Sequence, residues 1–216
     1  MKPIRLKYFL VGFFLLAAVT GAAPQETPLK RPETETLFSK IDSLDSLSHT
    51  IVSGDTLFDL ARKHETTIDL LRKLNKISGD QIYAGMKLKI AKARFSIQVN
   101  KSRNLLKLFA DGKLLKRYRV ATGTNNSTPV GTFKIVNKLK DPTWFHAGAV
   151  VPSGSPDNIL GSRWLGFDSP GYGLHGTTLP ETIGTQASKG CIRMLNSDVE
   201  EIYAVIPEGT VVSVQD

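Results

Sequence analysis

Cys191 is the only cysteine in this chain of 216 residues. An intrachain disulfide framework is therefore impossible, and so is a cysteine-rich zinc site. Buried apolar surface has to hold the fold instead. A composition 41% hydrophobic and 22% charged is that of an ordinary globular protein, and the length accommodates one or two domains. His49, His64, His146 and His175 form no HExxH pair, so a zinc peptidase has no motif behind it. Lys and Arg outnumber Asp and Glu by 28 to 20 without any block of five like charges. That excludes a nucleic-acid-binding arm. The mild positive excess suits an acidic polymer, although most such charges are simply solvated surface.

The first residues carry an address. Lys2, Arg5 and Lys7 precede the apolar run from Tyr8 to Val19, and Thr20, Gly21, Ala22 and Ala23 follow. A positive start, a short apolar stretch and a small-residue exit read as a secretory signal over 1–23, cut after Ala22 or Ala23. The rival reading is an uncleaved N-terminal anchor. The run is short for a membrane span, which takes roughly 18–20 apolar residues, so no stable span is expected after cleavage. Either way residues 24–216 are expected outside the cytoplasmic membrane, in a periplasm or cell wall. Residues 24–47 hold Pro24, Pro28 and Pro32 among polar residues and read as a linker. Leu37, Ile41, Leu44 and Leu47 recur at helical spacing toward its end.

Residues 48–92 form a small module. Thr50–Val52 is a β-rich run and Ser53-Gly54-Asp55 is turn chemistry, with Asp55 placed to cap a helix over 56–64. Thr67 caps a second helix that buries Leu70, Leu71 and Leu74, and Lys87–Ile90 alternates as a strand. The order is βααβ. The stretches His49–Leu57, Leu74–Ile77 and Ile82–Leu88 resemble the LysM family. That resemblance implies binding of N-acetylglucosamine-containing glycans such as peptidoglycan. The sugar would lie between Gly54–Leu57 and Ile77–Ile82, with Gly54, Asp55 and Thr56 as contacts.

Residues 93–216 read as mostly strand: 95–99, 105–109, a hairpin turn at Asp111-Gly112, 114–121, 132–136 and 211–214. Residues 137–174 are rich in Gly, Pro, Ser and Asp and are expected as long loops. Ser197-Asp198-Val199-Glu200 is read as a capping box opening a helix to about Ile206. The fold class is α+β, a small βααβ module followed by a mostly β, sandwich- or barrel-like domain.

His175-Gly176 and, sixteen positions after His175, Cys191 within Ser188–Met194 carry the chemistry. A thiol reacts as thiolate, and a nearby imidazole can take its proton and return it to a leaving group. Gly190 allows close approach of a substrate carbonyl, and the N–H groups around it are candidate oxyanion donors. Arg193, two residues beyond Cys191, leaves the same face of an extended segment and is placed to steer a substrate carboxylate. A lone cysteine also serves as a small buried hydrophobe, and the residues alone leave that open.

The stretches Ala121–Gly123, Thr128–Phe133, Leu160–Gly166, His175–Thr177 and Ser188–Met194 resemble the YkuD-type L,D-transpeptidases over almost all of 94–216. The resemblance implies a nucleophile, Cys191, a general base, His175, and an orienting backbone carbonyl, that of Gly176, with Ser188 and Arg193 as substrate contacts. It departs at Lys189, where many members carry His. It also implies acyl transfer on peptidoglycan stems. The thiol takes the acyl group of residue three, expels D-alanine and passes the acyl group to an amine, giving a 3→3 cross-link without metal or cofactor. Water as acceptor gives an L,D-carboxypeptidase instead, and a wall-binding protein without catalysis is the remaining alternative.

Overall fold

This computed structural model describes residues 35–146 and 148–216. The expected signal segment and residues 24–34 of the expected linker lie outside the described residues.

The N-terminal elements are α1 (Leu37–Asp42), β1 (Ser46–Thr50), α2 (Leu57–Lys63), α3 (Ile68–Asn75) and β2 (Lys87–Ala91). β1 and β2 pair antiparallel from Ser46↔Ala91 to Thr50↔Lys87. The first strand therefore ends where the β-rich run was expected to begin. Ile51 still pairs outside it, donating to the Met86 carbonyl. The cap of α2 is Thr56, not Asp55: the Thr56 hydroxyl accepts the Asp59 N–H. Asp55 closes the preceding turn, accepting from the Val52 N–H and pairing with His49 at 2.8 Å. Thr67 caps α3.

Over its described part the expected linker is structured. Leu37 and Ile41 of α1 are fully buried, and they pack in one cluster with Leu70 of α3 and the core of the C-terminal sheet. Adjacent residues of α3 serve two cores, since Leu71 joins Ile51, Leu57, Leu60, Leu88 and Ile90 inside the module. Two polar bonds cross the same junction. Thr67 Oγ1 donates to the Ala204 carbonyl, and Lys40 Nζ donates to the Leu115 carbonyl at 3.0 Å.

The C-terminal strands are β3 (Phe95–Asn100), β4 (Leu105–Ala110), β5 (Lys113–Arg119), β6 (Thr122–Gly123), β7 (Gly131–Lys140), β8 (Trp144–His146), β9 (Ala149–Val151), β10 (Arg163–Phe167), β11 (Gly173–His175), β12 (Gln186–Ser188), β13 (Ile192–Arg193) and β14 (Val211–Gln215), with α4 (Asn196–Val205) before the last. Eight of them form one mixed sheet in the order β13-β11-β10-β7-β14-β3-β4-β5. The sheet curls until its edges meet: Ala121, just past β5, exchanges both backbone hydrogen bonds with Arg193 on β13, at 2.8 and 2.9 Å. This curled sheet is the barrel-like form of the expected mostly β domain. α4 buries Val199, Ile202 and Val205 in its core.

Two local expectations fail here. Residues 137–174 carry β8 to β11 and the end of β7, because short strands among turn residues leave little periodicity to read. Helix α4 starts at Asn196 with Leu195 as its cap and no side-chain capping bond, so Ser197 lies inside the helix.

Candidate active site

The seam where the curled sheet closes gathers the chemistry. His175 ends β11, and β13 runs parallel beside it with Arg193 opposite His175. Cys191 immediately precedes β13, on a turn that Ser188 closes. The Ser188 hydroxyl donates to the Cys191 carbonyl at 2.6 Å and accepts the Gly190 N–H at 3.1 Å. Ser188, expected to touch substrate, thus spends its bonds inside the turn, and the Gly190 N–H is engaged as well. Gly190 has φ +122, and a Cβ there would meet the Tyr172 ring at 2.8 Å, so both backbone shape and packing require glycine.

His175 is 2% exposed, and its Nδ1 lies 2.6 Å from the Gly176 carbonyl oxygen. A carbonyl can only accept, so Nδ1 carries the proton and Nε2 keeps its lone pair. Burial pushes the imidazole pKa down to about 4; the Gly176 and Ile159 backbone groups oppose this, and the Arg193 charge adds to it. The indole of Trp164, directly across on β10, stacks beside the imidazole with ring centroids 6.1 Å apart.

The Cys191 thiol is partly exposed and donates to the Gly171 carbonyl at 3.3 Å. Burial raises its pKa, while the Gly173 backbone and the Arg193 charge pull it back. Burial thus favours the neutral form of both the thiol and the imidazole.

Arg193 is 4% exposed, donates from Nη1 to Thr182 Oγ1 at 2.9 Å, and has its Nε buried without a partner. Among the described residues no carboxylate lies within ion-pair distance of it. Its guanidinium is thus a charge held next to the thiol with donor capacity to spare.

In the N-terminal module Asp55 and Thr56 line a groove of about 570 Å³ together with Leu57, Phe58, Asp80, Gln81, Ile82 and Tyr83. Gly54, with φ +94, shapes the turn that leads into it. The exposed rings of Phe58 and Tyr83 are 57% and 63% accessible. Sequence reasoning missed them because exposure has no one-dimensional signature. It also missed Gly171, Trp164 and Asn196, which reach the site from separate segments.

The comparisons agree with these two regions. The profile of the L,D-transpeptidase catalytic domain family YkuD matches residues 94–214, and that of the LysM domain matches 49–91. The L,D-transpeptidase YkuD named from Bacillus licheniformis is 34% identical over 176 residues, 78% of this chain and 98% of that protein. YqjB of Bacillus subtilis, also named as an L,D-transpeptidase, is 43% identical over 124 residues, 55% of this chain and 69% of that protein. A crystal structure of an L,D-transpeptidase from Mycobacterium tuberculosis H37Rv shares the fold, with TM-score 0.50 at 13% identity over 80% of this chain and 91% of that one.

Proposed function

The chain belongs to the YkuD family of L,D-transpeptidases and carries a LysM domain, and on that premise we propose that it is an exported enzyme that cross-links peptidoglycan stems through a Cys191 thioester. The observation that carries the reading is the convergence at the seam of the only thiol, an imidazole with its Nε2 lone pair available, and a buried guanidinium with spare donors.

The donor stem enters by displacing the thiol from the Gly171 carbonyl, and Arg193 takes a carboxylate of the stem. His175 Nε2 accepts the thiol proton as Sγ attacks the carbonyl at the L-centre of residue three. With the Gly190 N–H engaged, the Cys191 N–H is the donor for the developing oxyanion. Collapse expels D-alanine, whose amine takes the proton from the imidazolium. An amine of a second stem then attacks the thioester and gives its proton to His175, and the thiol is restored. No metal or cofactor enters these steps.

The test is incubation of a disaccharide-tetrapeptide with the protein, read by mass. A dimer lacking one D-alanine is expected. A tripeptide monomer makes the protein an L,D-carboxypeptidase, and an unchanged substrate leaves only wall binding. Export predicts a mature protein whose N-terminus is Ala23 or Pro24.

Arg193→Ala is expected to lower kcat/KM about 10- to 100-fold, the worth of a charge-assisted hydrogen bond of roughly 1.5–3 kcal/mol. The seam survives, because Arg193 closes it through its backbone. Arg193→Lys restores little, since an ammonium lacks the planar fork. Full activity in Arg193→Ala removes the assignment.

For the LysM groove, Tyr83→Ala is expected to weaken pelleting with insoluble peptidoglycan roughly 5- to 30-fold, the loss of an exposed aromatic contact of about 1–2 kcal/mol. Turnover of soluble muropeptides should stay unchanged. Substitution is a cleaner test than deleting 48–92, which would strip Leu70 and Thr67 from the core shared with the catalytic sheet.

A further inference from the structure

We propose that Asn196 is a positioning residue of this active site, holding the peptide bond that orients His175. The proposal rests on the reading of His175 as the base. Asn196 is the first residue of α4, and its side chain ties three segments together. Oδ1 accepts from the Ser162 N–H at 3.1 Å and the Thr177 N–H at 3.0 Å, and Nδ2 donates to the Thr177 carbonyl at 3.0 Å.

The Thr177 N–H and the Gly176 carbonyl are the two ends of one peptide group. That group is planar and trans, so fixing one end fixes the direction of the other. Asn196 grips the N–H end, and the imidazole Nδ1–H rests on the carbonyl end at 2.6 Å. The hydrogen bonds run in series from Nδ1–H to the Gly176 carbonyl and from the Thr177 N–H to Asn196 Oδ1, and each polarises the next. Electron density drawn toward the Gly176 oxygen strengthens it as an acceptor and makes Nε2 a better base.

The sequence makes room for this arrangement at two places. A Cβ on either Gly161 or Gly176 would collide with Asn196 Oδ1. Gly161 and Gly176 flank the paired strands, and the bare Cα at each admits one amide oxygen beside β10 and β11.

The test compares wild type with Asn196→Leu, Asn196→Asp and His175→Gln, each checked for folding by thermal unfolding. The readouts are kcat and KM on the disaccharide-tetrapeptide, and the pH dependence of Cys191 alkylation by iodoacetamide. The charged group facing the imidazole is Arg193, and all variants retain it. Asn196→Leu keeps the volume and loses the bonds, so kcat should fall on the order of 10- to 100-fold with KM within about twofold. Asn196→Asp keeps an acceptor for both N–H groups and adds charge at a helix N-terminus, where it is favoured. It should restore part of kcat, while Asn196→Leu, which adds no charge, should move the acid limb of the alkylation profile to lower pH, as a base that has lost its polarised acceptor requires. If Asn196→Leu does not fold, Asn196→Ala takes its place: a fall in kcat with the limb moved to lower pH supports the proposal, and wild-type kcat with an unmoved limb overturns it. Wild-type kcat and an unmoved limb in Asn196→Leu, beside an inactive His175→Gln, overturn the proposal while leaving the base intact. An active His175→Gln overturns the underlying reading instead.

Discussion

Cys191→Ala will form no dimer from disaccharide-tetrapeptide, a loss on the order of 10⁴-fold or more, because no other group in the chain can carry the acyl intermediate. Its stability should change by about 1 kcal/mol or less, since a partly exposed sulfur with one hydrogen bond to the Gly171 carbonyl leaves little cavity behind. Cys191→Ser should be nearly as inactive, because a hydroxyl is far harder to deprotonate than a thiol. The single cysteine makes the wild-type experiment equally direct. One equivalent of iodoacetamide should end catalysis and leave one adduct, on Cys191. With its pKa raised by burial, the thiol should depend on its base. In His175→Ala, alkylation at neutral pH should be slow and should keep rising beyond the roughly 8.5 of an ordinary thiol. Dimer formation by Cys191→Ala would end the covalent mechanism.

Acid will both inactivate and destabilise the protein through one residue, His175. Its imidazole is held near 4 in the fold, against an ordinary 6.5. The unfolded chain therefore binds a proton over that interval that the native site refuses. Stability from keeping the ring neutral is complete above about pH 6.5 and is lost as pH falls to about 4, a total of about 3 kcal/mol. In His175→Gln the urea midpoint should fall less between pH 7 and pH 4.5 than in wild type. Equal slopes would mean that the ring is not buried neutral. The same protonation removes the base, so the acid limb of kcat/KM should lie near pH 4 rather than near 6.5. His175→Ala at neutral pH should lose about 100- to 10,000-fold in rate, the usual worth of a general base.

Much of this protein is legible in one dimension wherever the signal is local. The caps and leucine spacing of α3, the Asp111-Gly112 hairpin between β4 and β5, and the last strand all follow from short-range rules. Such rules act between residues three or four apart, or two apart on a strand. The two matched families were equally readable, in Ser188–Met194 and in His49–Leu57, because the residues that carry each resemblance are contiguous. The strands between 137 and 174 were not. β8, β9 and β11 have three residues each, too few for a period; β8 and β9 pair with each other, and β11 is held between β10 and the more distant β13. The burial of α1 was not legible for a related reason: Leu37 and Ile41 show a helical face, but nothing in the chain says that the edge strand β5 and α3 wait to cover it.

The sequence by itself therefore determined the two families, their order along the chain and many of the local elements, and it offered the candidate reacting groups, because covalent spacing and side-chain chemistry are properties of the chain. Only the tertiary structure decided how those groups are poised. Closing the sheet between Ala121 and Arg193 brings β13 beside β11, buries His175 and Arg193, and ties the Cys191 thiol to the Gly171 carbonyl. Burial is a property of everything packed around a group, and it is burial that sets both acidities. The tertiary fold also brings Asn196 against Gly161 and Gly176, a juxtaposition that no local spacing shows.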